Sequence, residues 1–131
     1  MEVERAFLAE PNAPMLARQQ VGRILRDAVP AERLDDLRLA TSELVTSAVI
    51  NGRITGQEVI SISVGLDEEL DVVRVTVEQP IRPHPSKALR SRQPGLFTSA
   101  DVLDAVTDRW GTAPGPPALA WFEIDLDPPS V

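Results

Sequence analysis

The sequence predicts an α/β fold, in which helices cover one face of a small sheet. Two hydrophobic periods support this prediction. Three segments alternate apolar with polar residues, as half-buried strands do, whereas one long segment has apolar residues spaced three and four apart, as in an amphipathic helix. With 131 residues and 43% hydrophobic content, the chain is long enough for one domain with its own core. We therefore expect a single domain over residues 1–131.

The first part of the chain is predicted to hold one short strand and two helices. Residues 5–9 have the composition of a strand, and a proline ends that strand. A first helix is expected over about 14–29, because Pro30 lacks the amide that a helix interior needs. A second helix is expected from about residue 31 to 51, where Gly52 is a suitable end.

An alternating period follows the second helix. Residues 60–66 and 73–78 each alternate apolar with polar side chains, and the acidic residues 67–69 between them predict a hairpin turn. A short helix is expected over 99–107 and a third strand over 119–126. The core is expected to combine strand residues Ile60, Ile62, Val75, Val77, Phe122 and Ile124 with helix residues Leu37, Leu44 and Ala48.

The segment between the second strand and the short helix has no regular period. We expect a long loop over about residues 80–98, of the kind that forms a lid or is disordered. Its basic residues suit a phosphate or an acidic partner surface, or they simply keep a solvated linker soluble. His84 lies in this loop without partner ligands at metal spacing, so a metal role is not expected. The basic residues are Arg82, Lys87, Arg90 and Arg92.

Composition excludes several classes of function. The chain has no cysteine, so disulfides, thiolate metal sites and cysteine nucleophiles are ruled out. No apolar run approaches membrane-spanning length, and the first residues lack the pattern of a signal peptide, so we expect a cytoplasmic protein that does not bind membranes. A net charge of −7 opposes binding to a phosphate backbone, so nucleic acid is not an expected partner.

One polar pair stands beside the apolar stripe of the second helix. Glu43 and Ser47 lie one turn apart, so both side chains point the same way at the edge of the core. A site at this edge is one interpretation. The other is a carboxylate at a helix flank that reaches water. The stripe itself consists of Leu37, Ala40, Leu44, Ala48 and Asn51.

Three segments together resemble a known family. They are residues 37–49 (LRLATSELVTSAV), residues 73–77 (VRVTV), and residues 108–111 (DRWG) followed by 121–124 (WFEI). In this order they resemble the Bergerat-fold (GHKL, histidine-kinase-like) ATPase domains, and most closely the small bacterial anti-sigma-factor serine kinases and their stand-alone relatives. The resemblance implies a two-layer α/β sandwich, with helices on one face of a mixed, mostly antiparallel sheet and a nucleotide between the helices and a flexible lid.

The resemblance also implies roles for individual residues, and two of them depart from the family pattern. Glu43 corresponds to the catalytic glutamate that polarises a water or a hydroxyl. Ser47 stands where an asparagine binds magnesium; its hydroxyl can ligate the metal but is shorter than a carboxamide. Gln79 stands where an aspartate accepts a hydrogen bond from the adenine amino group, and this neutral replacement forfeits about 1 kcal/mol.

The remaining nucleotide motifs are also reduced. The glycine-rich lid corresponds to residues 92–96, where Gly95 and Leu96 remain but Pro94 has no amide to donate to a phosphate. A threonine that holds the base corresponds to Leu119. Because these changes all weaken the binding of the same ligand, we expect that ATP and Mg²⁺ bind weakly or not at all.

The implied function is regulatory. We expect a protein of the anti-sigma-factor kinase type that acts by binding a sigma-factor-like or antagonist-like protein. The alternatives are an active ATP- and magnesium-dependent serine kinase with Glu43 as general base, and a scaffold within an unrelated complex. The strand alternation that buries Phe122 points Trp121 to the opposite sheet face. There we expect Trp121 to bind a partner protein or to form a homodimer contact. Alternatively, Trp110 or the N-terminal strand covers Trp121.

Overall fold

The computed structural model describes residues 1–52, 57–79, 99–115 and 117–126. Five strands and three helices form in this part of the chain. In chain order they are β1 (Glu2–Leu8), α1 (Ala13–Leu25), α2 (Ala31–Gly52), β2 (Val59–Asp67), β3 (Val72–Glu78), α3 (Ser99–Val106), β4 (Arg109–Ala113) and β5 (Leu119–Asp125).

The strands form one sheet in the order β1-β2-β3-β5-β4, and every described pair is antiparallel. The register places Ile62 beside Val77, and Val75 beside Phe122. Helix α2 contacts α1, α3 and three strands of the sheet. This arrangement confirms the predicted α/β class, with helices packed on an antiparallel sheet.

The core lies between the helices and one face of the sheet. All nine residues predicted for it are buried there. Phe122, at the centre of β5, has no exposed surface, and burying a side chain of this size stabilises the fold by about 1.5–3 kcal/mol. The alternation that places these residues inward leaves their neighbours in the strands on the opposite face.

Two boundaries and one whole strand differ from the sequence prediction. Strand β1 begins at Glu2 rather than residue 5, because its whole length pairs with β2. Helix α1 ends at Leu25, whose carbonyl accepts from the amides of Ala28 and Val29 in a closing turn. Strand β4 was not predicted, because it is only five residues long and pairs with β5 alone.

The β2–β3 connection forms the predicted acidic turn. The carboxylate of Asp67 accepts from the backbone amides of Glu69 and Leu70, at 3.0 and 3.1 Å, which closes the turn locally. Asp71 completes it with φ of 51°, a conformation that aspartate tolerates better than most side chains do.

Candidate functional site

Glu43 and Ser47 lie on α2, where that helix joins the core. Glu43 is half-buried, whereas Ser47 is only 4% exposed. Ser47 belongs to the buried face of α2, whereas Glu43 lies outside that face. The predicted pair is therefore on one helix, one turn apart, but its two members have different access to a ligand.

Asn51 holds the side chain of Ser47. Its amide nitrogen Nδ2 donates to the Ser47 carbonyl at 2.7 Å and to the Ser47 hydroxyl at 3.2 Å, and Asn51 itself is 2% exposed. A magnesium ligand must place its oxygen about 2.0–2.1 Å from the metal. Ser47 would have to leave this buried arrangement, or use a bridging water, to reach such a metal.

Gln79 and Leu119 meet at one end of the sheet. Leu119 pairs with Glu78, and the Gln79 amide donates to the Ala118 carbonyl at 2.9 Å. Both Gln79 and Leu119 are half-buried. The structure thus brings together the two residues assigned to the adenine: Gln79 directly follows β3, and Leu119 begins β5. The predicted lid, with Gly95 and Leu96, lies outside the described residues.

The sheet face away from the helices carries an aromatic and cationic pair. The Arg74 guanidinium carbon lies 4.3 Å from the centroid of the Trp121 ring, within cation–π range. Trp121 is half-buried, and the described helices pack on the other face of the sheet, where Phe122 lies. Its predicted position on the face opposite Phe122 is confirmed by the register of β5.

Neither of the two alternative covers lies over Trp121. Trp110 packs against the core, and its indole nitrogen donates to Asp104 at 2.7 Å. The N-terminal strand pairs with β2 at the far edge of the sheet. Trp121 pairs with Gly111 of β4, where an added Cβ would lie 2.9 Å from the ring. Glycine at position 111 therefore allows the indole to lie close against β4.

A charged network that the sequence analysis missed lies beside Trp121. Arg109 donates to Glu123 at 2.7 Å and to Asp125 at 2.5 Å, and Arg74 donates to Glu123 at 3.2 Å. The hydrogen bond from Arg109 lowers the pKa of Asp125, against a smaller opposing effect of desolvation. The same contacts raise the pKa of Arg109. The alternation of β5 could have placed Glu123 and Asp125 on this face, but only the β4 pairing adds Arg109.

Within the described residues, no helix is long and apolar enough to cross a membrane, and no cluster of three acidic or histidine side chains is placed to hold a metal ion. A magnesium ion, if bound, would need phosphate oxygens and water as ligands besides the side chains of α2.

Comparison with known proteins identifies a fold. No family model matches the chain, and no curated protein matches it. The structure is similar to a solved structure of the RsbU and RsbW domains of Rv1364c from Mycobacterium tuberculosis, with a TM-score of 0.74 and 19% sequence identity. The match covers 99% of this chain and 34% of that chain, so this chain spans about a third of that length. At this identity the likeness shows the fold alone.

Proposed function

We propose that this protein is a regulatory module of the anti-sigma-factor kinase type, which acts by binding another protein and binds ATP weakly. The observation that carries the proposal is the pair of Trp121 and Arg74 on the sheet face that the described helices leave open. The fold likeness to a structure that contains an RsbW domain supports a regulatory role of this type. The expected partner is a sigma-factor-like or antagonist-like protein, and the expected location is the cytoplasm.

The chemistry of this surface suits protein contact. Tryptophan and arginine are the residues most enriched among those that dominate binding energy at protein interfaces. Here Arg74 lies over the Trp121 ring and pairs with Glu123, so little conformational freedom is lost when a partner covers the two side chains. A second copy of the chain is one candidate partner for the same face, since a homodimer presents identical patches to each other.

The residues assigned to the nucleotide support weak nucleotide binding. Ser47 is buried and accepts a hydrogen bond from Asn51, and Gln79 offers a neutral carbonyl in place of a carboxylate. Each difference weakens a contact to the same ligand by about 1 kcal/mol or more. A second candidate function, an active serine kinase, is supported by one observation: α2 carries Glu43 with its side chain only half-buried, so a substrate hydroxyl could reach this candidate general base.

Two measurements test the proposal. The first compares the parent with Trp121→Ala by sedimentation and by pull-down with a panel of purified sigma factors and antagonist proteins. We expect the parent to form a complex and the substitution to weaken its affinity by at least 30-fold, because hot-spot tryptophans contribute about 2 kcal/mol or more. The matched control is Trp110→Phe, which changes the other tryptophan on the helix side. A parent that remains monomeric and binds none of these proteins would remove the basis of the contact proposal.

The second measurement is calorimetric titration with ATP and Mg²⁺. We expect a Kd well above the micromolar range. A Kd at or below about 1 μM, which corresponds to about −8 kcal/mol, would make the kinase the better description.

A further inference from the structure

A groove on the helical layer is lined by six residues, of which four are arginines. It has a volume of about 410 Å³ and lies between α1 and α2, far from Trp121 in the fold. None of the residues that line it is acidic. They are Arg18, Gln19, Gly22 and Arg23 of α1, Arg26 directly after that helix, and Arg38 of α2.

The positive charge in this groove is poorly compensated. Among the described residues, no carboxylate forms an ion pair with Arg18, Arg23 or Arg26. Arg38 reaches Asp35 at only 3.5 Å, and the Asp35 side chain is 79% exposed. Solvent screens such a pair almost completely. Four cationic side chains are therefore concentrated in one groove of a protein whose net charge is −7.

Gly22 makes the groove possible. A Cβ at this position would lie 2.8 Å from two nitrogen atoms of the Arg38 guanidinium, so the guanidinium rests on α1 where other residues carry a side chain. Glycine in a helix interior costs about 1 kcal/mol relative to alanine. Helix α1 is thus less stable with glycine at position 22, where the Arg38 side chain of α2 contacts it.

The arrangement of the groove fits an extended anionic ligand. Arg18 and Gly22 of α1 and its C-cap residue Arg26 are spaced four residues apart. Because Arg26 keeps helical backbone angles, the two arginines are separated by about 12 Å along the helix axis. This spacing matches carboxylates about two helical turns apart in a bound segment. A single phosphate would instead require donors that converge on one point.

We propose that this groove binds an acidic segment of a partner protein, through at least two carboxylates. An acidic protein segment is favoured over nucleic acid because the basic area is confined to one groove, while the net negative charge of the whole chain repels a long phosphate backbone. The inference concerns a different surface from Trp121 and does not depend on the proposed regulatory function.

The test uses a fluorescein-labelled 16-residue peptide with equal numbers of Glu and Ala, and measures its binding by anisotropy at low and high salt. The comparison ligands are the same peptide with Gln in place of Glu, a 16-nucleotide single strand of DNA, and inorganic phosphate as competitor. We expect that only the Glu peptide binds appreciably, and that high salt weakens its binding because exposed charges are screened.

Two variants locate the binding. Arg18→Gln combined with Arg26→Gln should lower the affinity for the Glu peptide by about 5-fold to 30-fold, because each surface charge pair contributes a modest amount. Arg5→Gln with Arg33→Gln changes the net charge equally at positions outside the groove and should leave binding within about 2-fold of the parent. Circular dichroism and urea unfolding confirm that each variant is folded.

A third variant separates the groove from charge in general. Gly22→Gln displaces the Arg38 guanidinium and fills the groove without changing the net charge, and we expect it to weaken the peptide by at least about 3-fold. Trp121→Ala should bind the peptide as the parent does, which keeps this test separate from that of the sheet face. Equal losses in the Arg5/Arg33 control, unchanged binding by Gly22→Gln, DNA binding as tight as peptide binding, displacement by phosphate, or no binding of the Glu peptide would each overturn the proposal.

Discussion

The side-chain amide of Asn51 donates to both oxygens of Ser47, at 2.7 Å to the carbonyl and at 3.2 Å to the hydroxyl. In the Bergerat-fold domains that the sequence resembles, an asparagine occupies the position of Ser47 and binds magnesium. Here an asparagine lies one turn later and is buried against the serine. Both of these hydrogen bonds therefore lie within α2.

The first prediction concerns ATP. Ser47→Asn combined with Gln79→Asp supplies a longer metal ligand and an anionic acceptor for the adenine amino group. If each contact contributes about 1–2 kcal/mol, binding of ATP with Mg²⁺ should tighten by roughly 30-fold to 1000-fold, measured by calorimetry on parent and double variant.

Packing limits that gain, because position 47 is buried and a larger side chain there costs about 1–3 kcal/mol of stability. The single variant Gln79→Asp, at a half-buried position, is the control that avoids this cost. If neither variant binds ATP better than the parent, the loss of affinity does not lie in these two residues.

The second prediction concerns the contact between Gly111 and Trp121. In a Trp110→Phe background, Gly111→Ala should push the indole away from β4 and shift its fluorescence to longer wavelength, because a Cβ would lie 2.9 Å from the ring. The lost cation–π contact with Arg74 should lower the free energy of unfolding by no more than about 1 kcal/mol.

Gly65→Ala is the matched control for Gly111→Ala. Gly65 lies on the same sheet face, but an added Cβ would meet its nearest neighbours at 3.9 Å, an ordinary contact distance. We expect no change in fluorescence for this variant. The same spectral shift in both variants would show that the face responds to any added methyl group rather than to contact with Trp121.

The third prediction concerns Thr41, whose hydroxyl is fully buried and has no hydrogen-bond partner in the described part of the molecule. Thr41→Val keeps the shape and removes the unsatisfied group, so the free energy of unfolding should rise by about 1–2 kcal/mol, as measured by urea denaturation. Thr46→Val, at a half-buried position of the same helix, should show no comparable gain. Equal stability of Thr41→Val and parent would mean that the hydroxyl is satisfied by a group such as water.

The fourth prediction concerns pH. Because Arg109 lowers the pKa of Asp125 in the folded state, the ionised carboxyl stabilises the protein at pH values above its unfolded pKa of about 4. This contribution should disappear as the pH falls through the lowered folded value. The stability difference between parent and Asp125→Asn, measured by urea denaturation, should be constant from pH 7 to 5 and shrink below about pH 4.

The control for the pH series is Asp27→Asn, which changes an exposed carboxyl outside the network. Its difference from the parent should not shrink in this way. If the difference for Asp125→Asn instead grows as the pH falls, the pKa of Asp125 is raised on folding, and the assignment of Arg109 as its stabilising partner is wrong.

The sequence was sufficient for the elements whose hydrophobic period is long. Ile60, Ile62 and Phe122 could be assigned to the core, and Trp121 to the opposite face, because a strand places alternate residues on opposite sides whatever it pairs with. Strand β4 has only five residues and includes Gly111, so the segment is too short for its alternation to be detected. Only its pairing with β5 identifies it as a strand.

The candidate functional residues likewise divide into those that the sequence could place and those that only the tertiary structure could place. The sequence alone placed Glu43 one turn from Ser47, because helical spacing is local. The contact of Arg74 with Trp121 and the approach of Arg38 to Gly22 depend on how separate elements pack. Such contacts are tertiary, because distances between residues far apart in the chain are determined by strand register and helix packing and not by local periodicity.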